Sequence, residues 1–248
     1  MMTSPTAGNA PSSRCPDGTR IYAVGDIHGR DDLLIRMHAM ILADARTRPE
    51  LAPTVVYLGD YVDRGSGSFE VIEFLINEPL PGFTSVTLMG NHEDMMLRFL
   101  DGPPTLNWLV NGGIATLASY GVGTADPIVY LADLDVVRRD LRAAVPPAHR
   151  RFLLGLDLMH VAGDYVFVHA GVRPGVDLEA QAPADLLWIR DKFLDSRKDH
   201  GKVVIHGHTI TEEPEIRANR IGIDTGAFVT DRLTCLVLEG CERRFIQT

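Results

Sequence analysis

Aspartate, histidine and asparagine recur in five short glycine-containing clusters: Gly25-Asp26-Ile27-His28-Gly29, Gly59-Asp60-Tyr61-Val62-Asp63-Arg64-Gly65, Gly90-Asn91-His92-Glu93, His169-Ala170-Gly171 and Gly207-His208-Thr209. Asp26 and His28 are separated by one residue. In an extended chain their side chains project to the same face, where a carboxylate and an imidazole can grip one cation. Asp60 carries two oxygens, enough to bridge two divalent ions, and Asp63 and Arg64 follow it closely. Asn91 offers an amide oxygen beside the imidazole of His92. Each piece has an ordinary alternative: an Asx-turn with an incidental histidine, a salt-bridged turn, a satisfied surface or core histidine. Those alternatives do not explain four strand-end histidines in the company of Asp and Asn. The chemistry such a set performs together is that of a binuclear metal centre.

The elements that must position these groups can be read around them. Each of the first three clusters follows an apolar run, Ile21-Tyr22-Ala23-Val24, Val55-Val56-Tyr57-Leu58 and Val86-Thr87-Leu88-Met89. Strands are predicted at 20–24, 54–58 and 84–89, with helices at 31–45, 68–77 and 92–100; Leu33, Met37, Met40 and Ile41 form the stripe of the first helix. Strands alternating with helices of this length predict βαβ units. Polar loops after such strands fit ligand binding at their carboxyl ends. From 101 to about 160 the character changes: Pro103-Pro104, Asn111-Gly112-Gly113 and Pro146-Pro147 punctuate amphipathic pieces, including Leu131 to Val145 and Ala148 to Leu158. This predicts a helical insertion lying over one edge of the sheet. Strands return at 165–168, 203–205, 221–223 and 233–238, the last of them as antiparallel elements of a second sheet. Residues 1–18, rich in Ser, Pro, Gly and Ala, read as a flexible tail, and 19–248 as a single domain.

Bulk composition narrows the class. With 45% hydrophobic and 23% charged residues the chain is ordinary for a globular protein. It holds no stretch approaching the roughly 18 uncharged apolar residues of a membrane span. A net charge of −9 argues against nucleic acid as partner but not against a phosphorylated substrate, since divalent cations and a few arginines make a local positive site. Cys15, Cys235 and Cys241 have no metal-ligand spacing and leave an odd thiol, which favours a reducing cytoplasm. There is neither a Gly-x-Ser-x-Gly nucleophile motif nor a Gly-rich loop ending in Lys.

Gly-Asp-x-His-Gly, Gly-Asp-x-x-Asp-Arg-Gly and Gly-Asn-His-Glu, in that order, resemble the metallophosphoesterase superfamily. Within it the chain is similar to the phosphoprotein phosphatases of the bacterial and phage-type branch, over about residues 20–240. Gly90 to Met96, Trp108-Leu109 with Asn111-Gly112-Gly113, and Ile223-Asp224-Thr225-Gly226-Ala227 carry the bacterial likeness. The resemblance implies an α/β fold, a calcineurin-like four-layer α/β/β/α sandwich of two mixed sheets with a helical insertion. It implies one ion on Asp26, His28 and the bridging Asp60, and another on Asp60, Asn91, His169 and His208. His206 competes with His208, but the family's ligand immediately precedes Thr; His206 is then a residue that orients a ligand or packs. An all-oxygen and nitrogen ligand set suits Mn²⁺, Fe²⁺ or Zn²⁺, and the resemblance favours Mn²⁺.

The same resemblance implies attack by a water acidified between the two cations, with His92 as general acid held by Asp63. Arg64 and Arg190 would bind phosphoryl oxygens, with Asn91 also contacting substrate. Glu93 and Asp94 could support the ligand loop or simply begin a helix, where negative charge is favoured. Asp224 could bond a ligand loop or stabilise a turn. The expected activity is hydrolysis of phosphoserine and phosphothreonine in proteins. The substrate expected is a phosphorylated protein or a small phosphoester. The alternatives are a symmetrical dinucleoside polyphosphate hydrolase, which would cleave a phosphoanhydride, and, less favoured, an inactive metal-binding scaffold.

Overall fold

Strand β1 (Thr19–Val24) is buried on both faces, with Ile21 and Ala23 in one core and Tyr22 and Val24 in another. That is why its sequence shows no polar alternation. The computed structural model describes residues 13–123 and 132–248. β2 (Ala52–Tyr57) pairs in parallel with β1, and β3 (Thr84–Thr87) in parallel with β2. The connections are α1 (Asp31–Ala45) and α2 (Ser68–Asn77), and α3 (Asn91–Asp101) follows β3. A second run supplies β4 (Met159–Ala162), β5 (Tyr165–Val168), β6 (Val203–His206), β7 (Glu215–Ile216) and β8 (Arg220–Gly222), then β9 (Thr234–Glu239) and β10 (Glu242–Gln247).

These strands make two mixed five-stranded sheets, in the orders β10-β9-β1-β2-β3 and β4-β5-β6-β8-β7. Val56, Leu58, Leu236 and Leu238 of the first face Tyr165, Phe167, Ile205 and Ile221 of the second. Tyr22, Val55 and Val237 on the outer face meet Leu34, Met37 and Val71 of the helices. On the far side Val166, Val168 and Val204 pack against Leu186 and Phe193. Helices therefore flank a pair of sheets, the four-layer α/β architecture expected from the motifs.

The C-terminal strands depart from expectation. β8 runs parallel to β6, and β9 lies in the first sheet, antiparallel to β1. Cys235 and Val237 join the helix-side core while Leu236 and Leu238 join the inter-sheet core. A strand apolar on both faces carries no local mark of which sheet it enters. Strand β4 begins at Met159, inside the expected end of the insertion at about 160, and the helix expected to reach Leu158 stops at Leu154, before Gly155. The insertion's helices are α4 (Leu106–Trp108), α5 (Ile114–Ser119), α6 (Leu134–Ala144) and α7 (Pro147–Leu154), and they pack on α2 and α3. A π-turn, Leu109–Gly113, joins α4 to α5. The predicted helix start at Leu131 lies outside the described residues, as do residues 1–12 of the predicted tail. Cys15 is buried, and its N–H donates to the Gly240 carbonyl oxygen at 3.0 Å. Among the described residues no helix is long and apolar enough to cross a membrane.

Candidate metal centre

The cluster residues sit just past strand ends: His28 after β1, Asp60 after β2, Asn91 and His92 after β3, His169 after β5 and His208 after β6. Parallel pairing within each sheet brings those ends to one rim. The backbone there is forced. Six described non-glycine residues have positive φ, and five of them are His28, Asp60, Asp63, Arg64 and His208. Each such conformation costs on the order of 1–3 kcal/mol, so the surrounding structure must impose it.

Asp60 is central. Its Oδ2 lies 3.4 Å from His28 Nε2 and 3.9 Å from His92 Nε2. Its Oδ1 lies 3.4 Å from His169 Nε2 and accepts the His92 backbone N–H at 3.1 Å. Two trios share this carboxylate, His28–Asp60–His92 and Asp60–His169–His208, and in each the donor atoms lie within 4.8 Å of one another. Asn91 Oδ1 is 2.8 Å from His169 Nε2, and His208 Nδ1 is 3.2 Å from the same atom. The Nδ1–H groups of His28 and His169 donate to the carbonyl oxygens of Val62 and Leu58, each at 2.9 Å. A carbonyl only accepts, so these bonds fix the tautomer and aim both Nε2 lone pairs into the cluster. His169 Nε2, Asn91 Oδ1 and Asp60 Oδ1 therefore meet as acceptors.

Asp26, grouped with His28 and Asp60 by resemblance, is in neither trio. It is turned toward the neighbouring loop, where Oδ2 accepts the His208 N–H at 3.0 Å, while Oδ1 is buried without a hydrogen-bond partner. Gly207 permits this approach, since a Cβ there would lie 2.0 Å from Asp26 Oδ1. Burial and the Asp224 and Asp60 charges push the Asp26 carboxyl well above its usual range, and burial pushes Asp224 up to about 6. Burial also lowers His28 to about 3 and depresses His169 and His208, leaving the neutral imidazoles that bind metal. Crowded acceptors, neutral imidazoles and an orphaned carboxylate oxygen are the surroundings a divalent cation relieves.

His92 behaves differently. Burial alone would lower it, but the Asp60 and Asp63 charges outweigh burial and hold it above the ordinary histidine value. Its Nδ1–H donates to Asp63 Oδ2 at 2.6 Å, and both side chains are buried. The Arg64 guanidinium donates to His28 Nε2 at 2.9 Å and lies over the Phe228 ring at 4.7 Å. Arg190 is exposed and donates to the hydroxyl of Thr209, next to His208, at 3.1 Å. His206 turns away, its ring on Phe193 at 5.1 Å and its Nε2 3.3 Å from the Arg220 guanidinium.

With this arrangement in view, residues 19–235 match the family model described as calcineurin-like phosphoesterase. The chain belongs to that family. It is a metallophosphoesterase, in a metal-dependent family, with His and Asp groups able to hold metal ions. Similar proteins include serine/threonine-protein phosphatase 2 of Salmonella typhimurium, 29% identical over 86% of this chain and 90% of that one. An asymmetrical bis(5'-nucleosyl)-tetraphosphatase, PrpE of Bacillus subtilis, is 26% identical over 85% and 87%. A solved structure provisionally named as a diadenosine tetraphosphatase has a TM-score of 0.63 at 17% identity, covering 95% of this chain and 98% of the other.

Several supports of this metallophosphoesterase site were not foreseen. Glu93 is fully buried and accepts four backbone N–H groups, those of Gly90, Asp60, Tyr61 and Val62, at 2.8 to 3.2 Å. It ties the Asp60 loop to the start of α3. The sequence offered Glu93 as a support for the ligand loop or as a helix start. It does both, and what the sequence did not show is that the loop it holds is the one from Asp60 to Val62. Trp108, Thr116 and Phe228 gave no local signal of chemistry.

Proposed function

We propose that this metallophosphoesterase hydrolyses phosphate monoesters, chiefly phosphoserine and phosphothreonine in proteins. The observation that carries the reading is the buried His92–Asp63 pair beside Asp60, with its 2.6 Å bond. A serine or threonine alkoxide is a poor leaving group and needs a proton as the bond breaks. His92 keeps Nδ1–H on Asp63 and holds a second proton at Nε2, ready for that oxygen. A positioned general acid contributes roughly 10²–10⁴-fold.

Asp26, His28 and Asp60 would hold one divalent ion, and Asp60, Asn91, His169 and His208 the other. Mn²⁺ is the ion we favour, and Fe²⁺ or Zn²⁺ suits the same donors. When bound, the pair supplies positive charge for the phosphoryl group and a water acidic enough to attack near neutral pH. The His28 Nε2 lone pair cannot serve both Arg64 and an ion. With His28 given to an ion, the Arg64 guanidinium beside Phe228 would be free for phosphoryl oxygens. Arg190 and the Asn91 amide would hold the phosphoryl group from the His208 side. We place the enzyme in the cytoplasm, acting on a phosphoprotein with no nucleic acid or membrane partner.

A second reading, hydrolysis of dinucleoside tetraphosphates, is favoured by the relatives named for that activity. Such a substrate breaks a phosphoanhydride and leans less on the proton donor. Assaying the purified protein on a phosphopeptide panel beside diadenosine tetraphosphate separates the two. Higher kcat/KM on phosphopeptides is expected, and a large preference for the dinucleotide would overturn the first reading.

A further inference from the structure

The Asp63 carboxylate has three donors and no exposure. His92 Nδ1–H reaches Oδ2 at 2.6 Å, and the Thr116 hydroxyl reaches Oδ1 at 2.6 Å. The Trp108 indole N–H is forked between Oδ2 at 2.9 Å and Oδ1 at 3.1 Å. The Asp63 N–H in turn donates to the Thr116 and Ser68 hydroxyl oxygens, at 2.9 and 3.0 Å. An aspartate carboxylate left alone rotates broadly about its last bond. Here only one rotation keeps the indole, the hydroxyl and the imidazole all bonded.

We propose that Trp108 and Thr116 are positioning residues that lock Asp63 onto His92 and so set how well the enzyme expels poor leaving groups. The proposal rests on the reading of His92 as general acid. Trp108 and Thr116 lie 45 and 53 residues beyond Asp63, on either side of the π-turn, and the turn is shaped to deliver them. Gly113 leaves room for the indole beside the backbone, since a Cβ there would sit 2.6 Å from the ring. Phe99 also packs on the indole, with ring centroids 4.9 Å apart and the rings tilted by 47°. Gly112, at φ 116, receives the Arg64 N–H on its carbonyl oxygen at 3.3 Å, and a Cβ there would lie 2.8 Å from Arg64 Cγ. One short segment thus braces both the carboxylate behind the proton donor and the arginine beside it. Packing alone would not need an indole N–H aimed at a carboxylate.

Trp108→Phe deletes one donor to the carboxylate, and Thr116→Val deletes one donor and one of the two acceptors of the Asp63 N–H, Ser68 remaining, while each keeps most of the volume. On a phosphoserine peptide each should lower kcat by roughly 10- to 100-fold, the range for partners that orient an active group, with KM and bound metal unchanged. On p-nitrophenyl phosphate, whose leaving group needs no proton, the loss should stay below about threefold. Thr116→Ser should restore activity. In a His92→Asn background either substitution should cost nothing more, because the group it acts through is gone. A readout independent of turnover is the downfield proton resonance of the His92–Asp63 bond in chelator-treated protein, assigned by its absence in His92→Asn. It should vanish or move upfield in both variants.

Equal losses on the two substrates, or losses that add in full to His92→Asn, would overturn the proposal. If Trp108→Phe does not fold, Thr116→Val alone decides between these outcomes. Should His92→Asn itself fall equally on both substrates, the general-acid reading is what fails, and the positioning proposal falls with it.

Discussion

Replacing Glu93 with Gln tests what holds the Asp60 loop in its strained form. The carboxylate takes the N–H groups of Asp60 and Gly90 on Oε2, both at 2.9 Å, and those of Tyr61 and Val62 on Oε1, at 2.8 and 3.2 Å. Burial and the Asp60 charge raise the Glu93 pKa. Yet a proton on either oxygen would point at N–H donors, so the geometry calls for the ionised form. A glutamine offers one oxygen, and its NH₂ group would face two N–H groups that then have no acceptor. Each buried unpaired donor costs about 1–3 kcal/mol, giving a loss near 4 kcal/mol. That is a large part of the roughly 5–15 kcal/mol by which folded domains are stable. At ~3 °C per kcal/mol for a domain of this size, Tm should fall by ~12 °C. Melting is best followed by calorimetry in the presence of chelator, so that ion binding does not add to either protein. A fall of less than about 3 °C would refute the reasoning, since it would mean the side chain is already neutral.

Other perturbations have equally definite outcomes. Asp60→Asn should lose tightly held metal and activity together, measured by elemental analysis beside turnover; a variant keeping two tight ions would contradict the sharing of that carboxylate. Arg190→Ala should raise KM by roughly tenfold with a smaller change in kcat, as expected when a guanidinium–phosphoryl contact present in both ground and transition state is removed. His38, hydrogen-bonded to the Tyr57 hydroxyl at 2.7 Å, is lowered to about 4 by burial. The unfolded chain takes up that proton at about pH 6.5, so between about pH 6.5 and 4 stability should drop by roughly 3 kcal/mol as acid is added. Urea unfolding across that range should lose this part of its acid dependence in His38→Gln, and an unchanged slope would reject the assignment.

How much of this was legible in the sequence follows from what each residue depends on. Asp60 and Asn91 could be found because apolar runs lead straight into them, and strand ends are where α/β sheets put ligands. The pairing of Asp26 with His28 was read from their spacing in an extended chain, and its grouping with Asp60 from resemblance. The chain turns at His28, φ 47, and Asp26 Oδ2 goes to the His208 amide. β9 could not be placed, because a strand buried on both faces looks the same in either sheet. Glu93 was legible as a helix start or a support of the ligand loop, but not which loop it holds, since the one from Asp60 to Val62 lies 31 to 33 residues earlier. Trp108 and Thr116 were invisible as chemistry, since an indole and a hydroxyl acquire their role only when the fold lays them on Asp63.

Asp60 turns one oxygen toward His28 and the other toward His169. The proposed function requires that it lie between two metal ions. Crystals grown with Mn²⁺ and measured at its absorption edge test this directly. The account predicts two anomalous peaks, roughly 3.5–4 Å apart, one on each side of the Asp60 carboxylate. A single peak, or peaks away from Asp60, would contradict it.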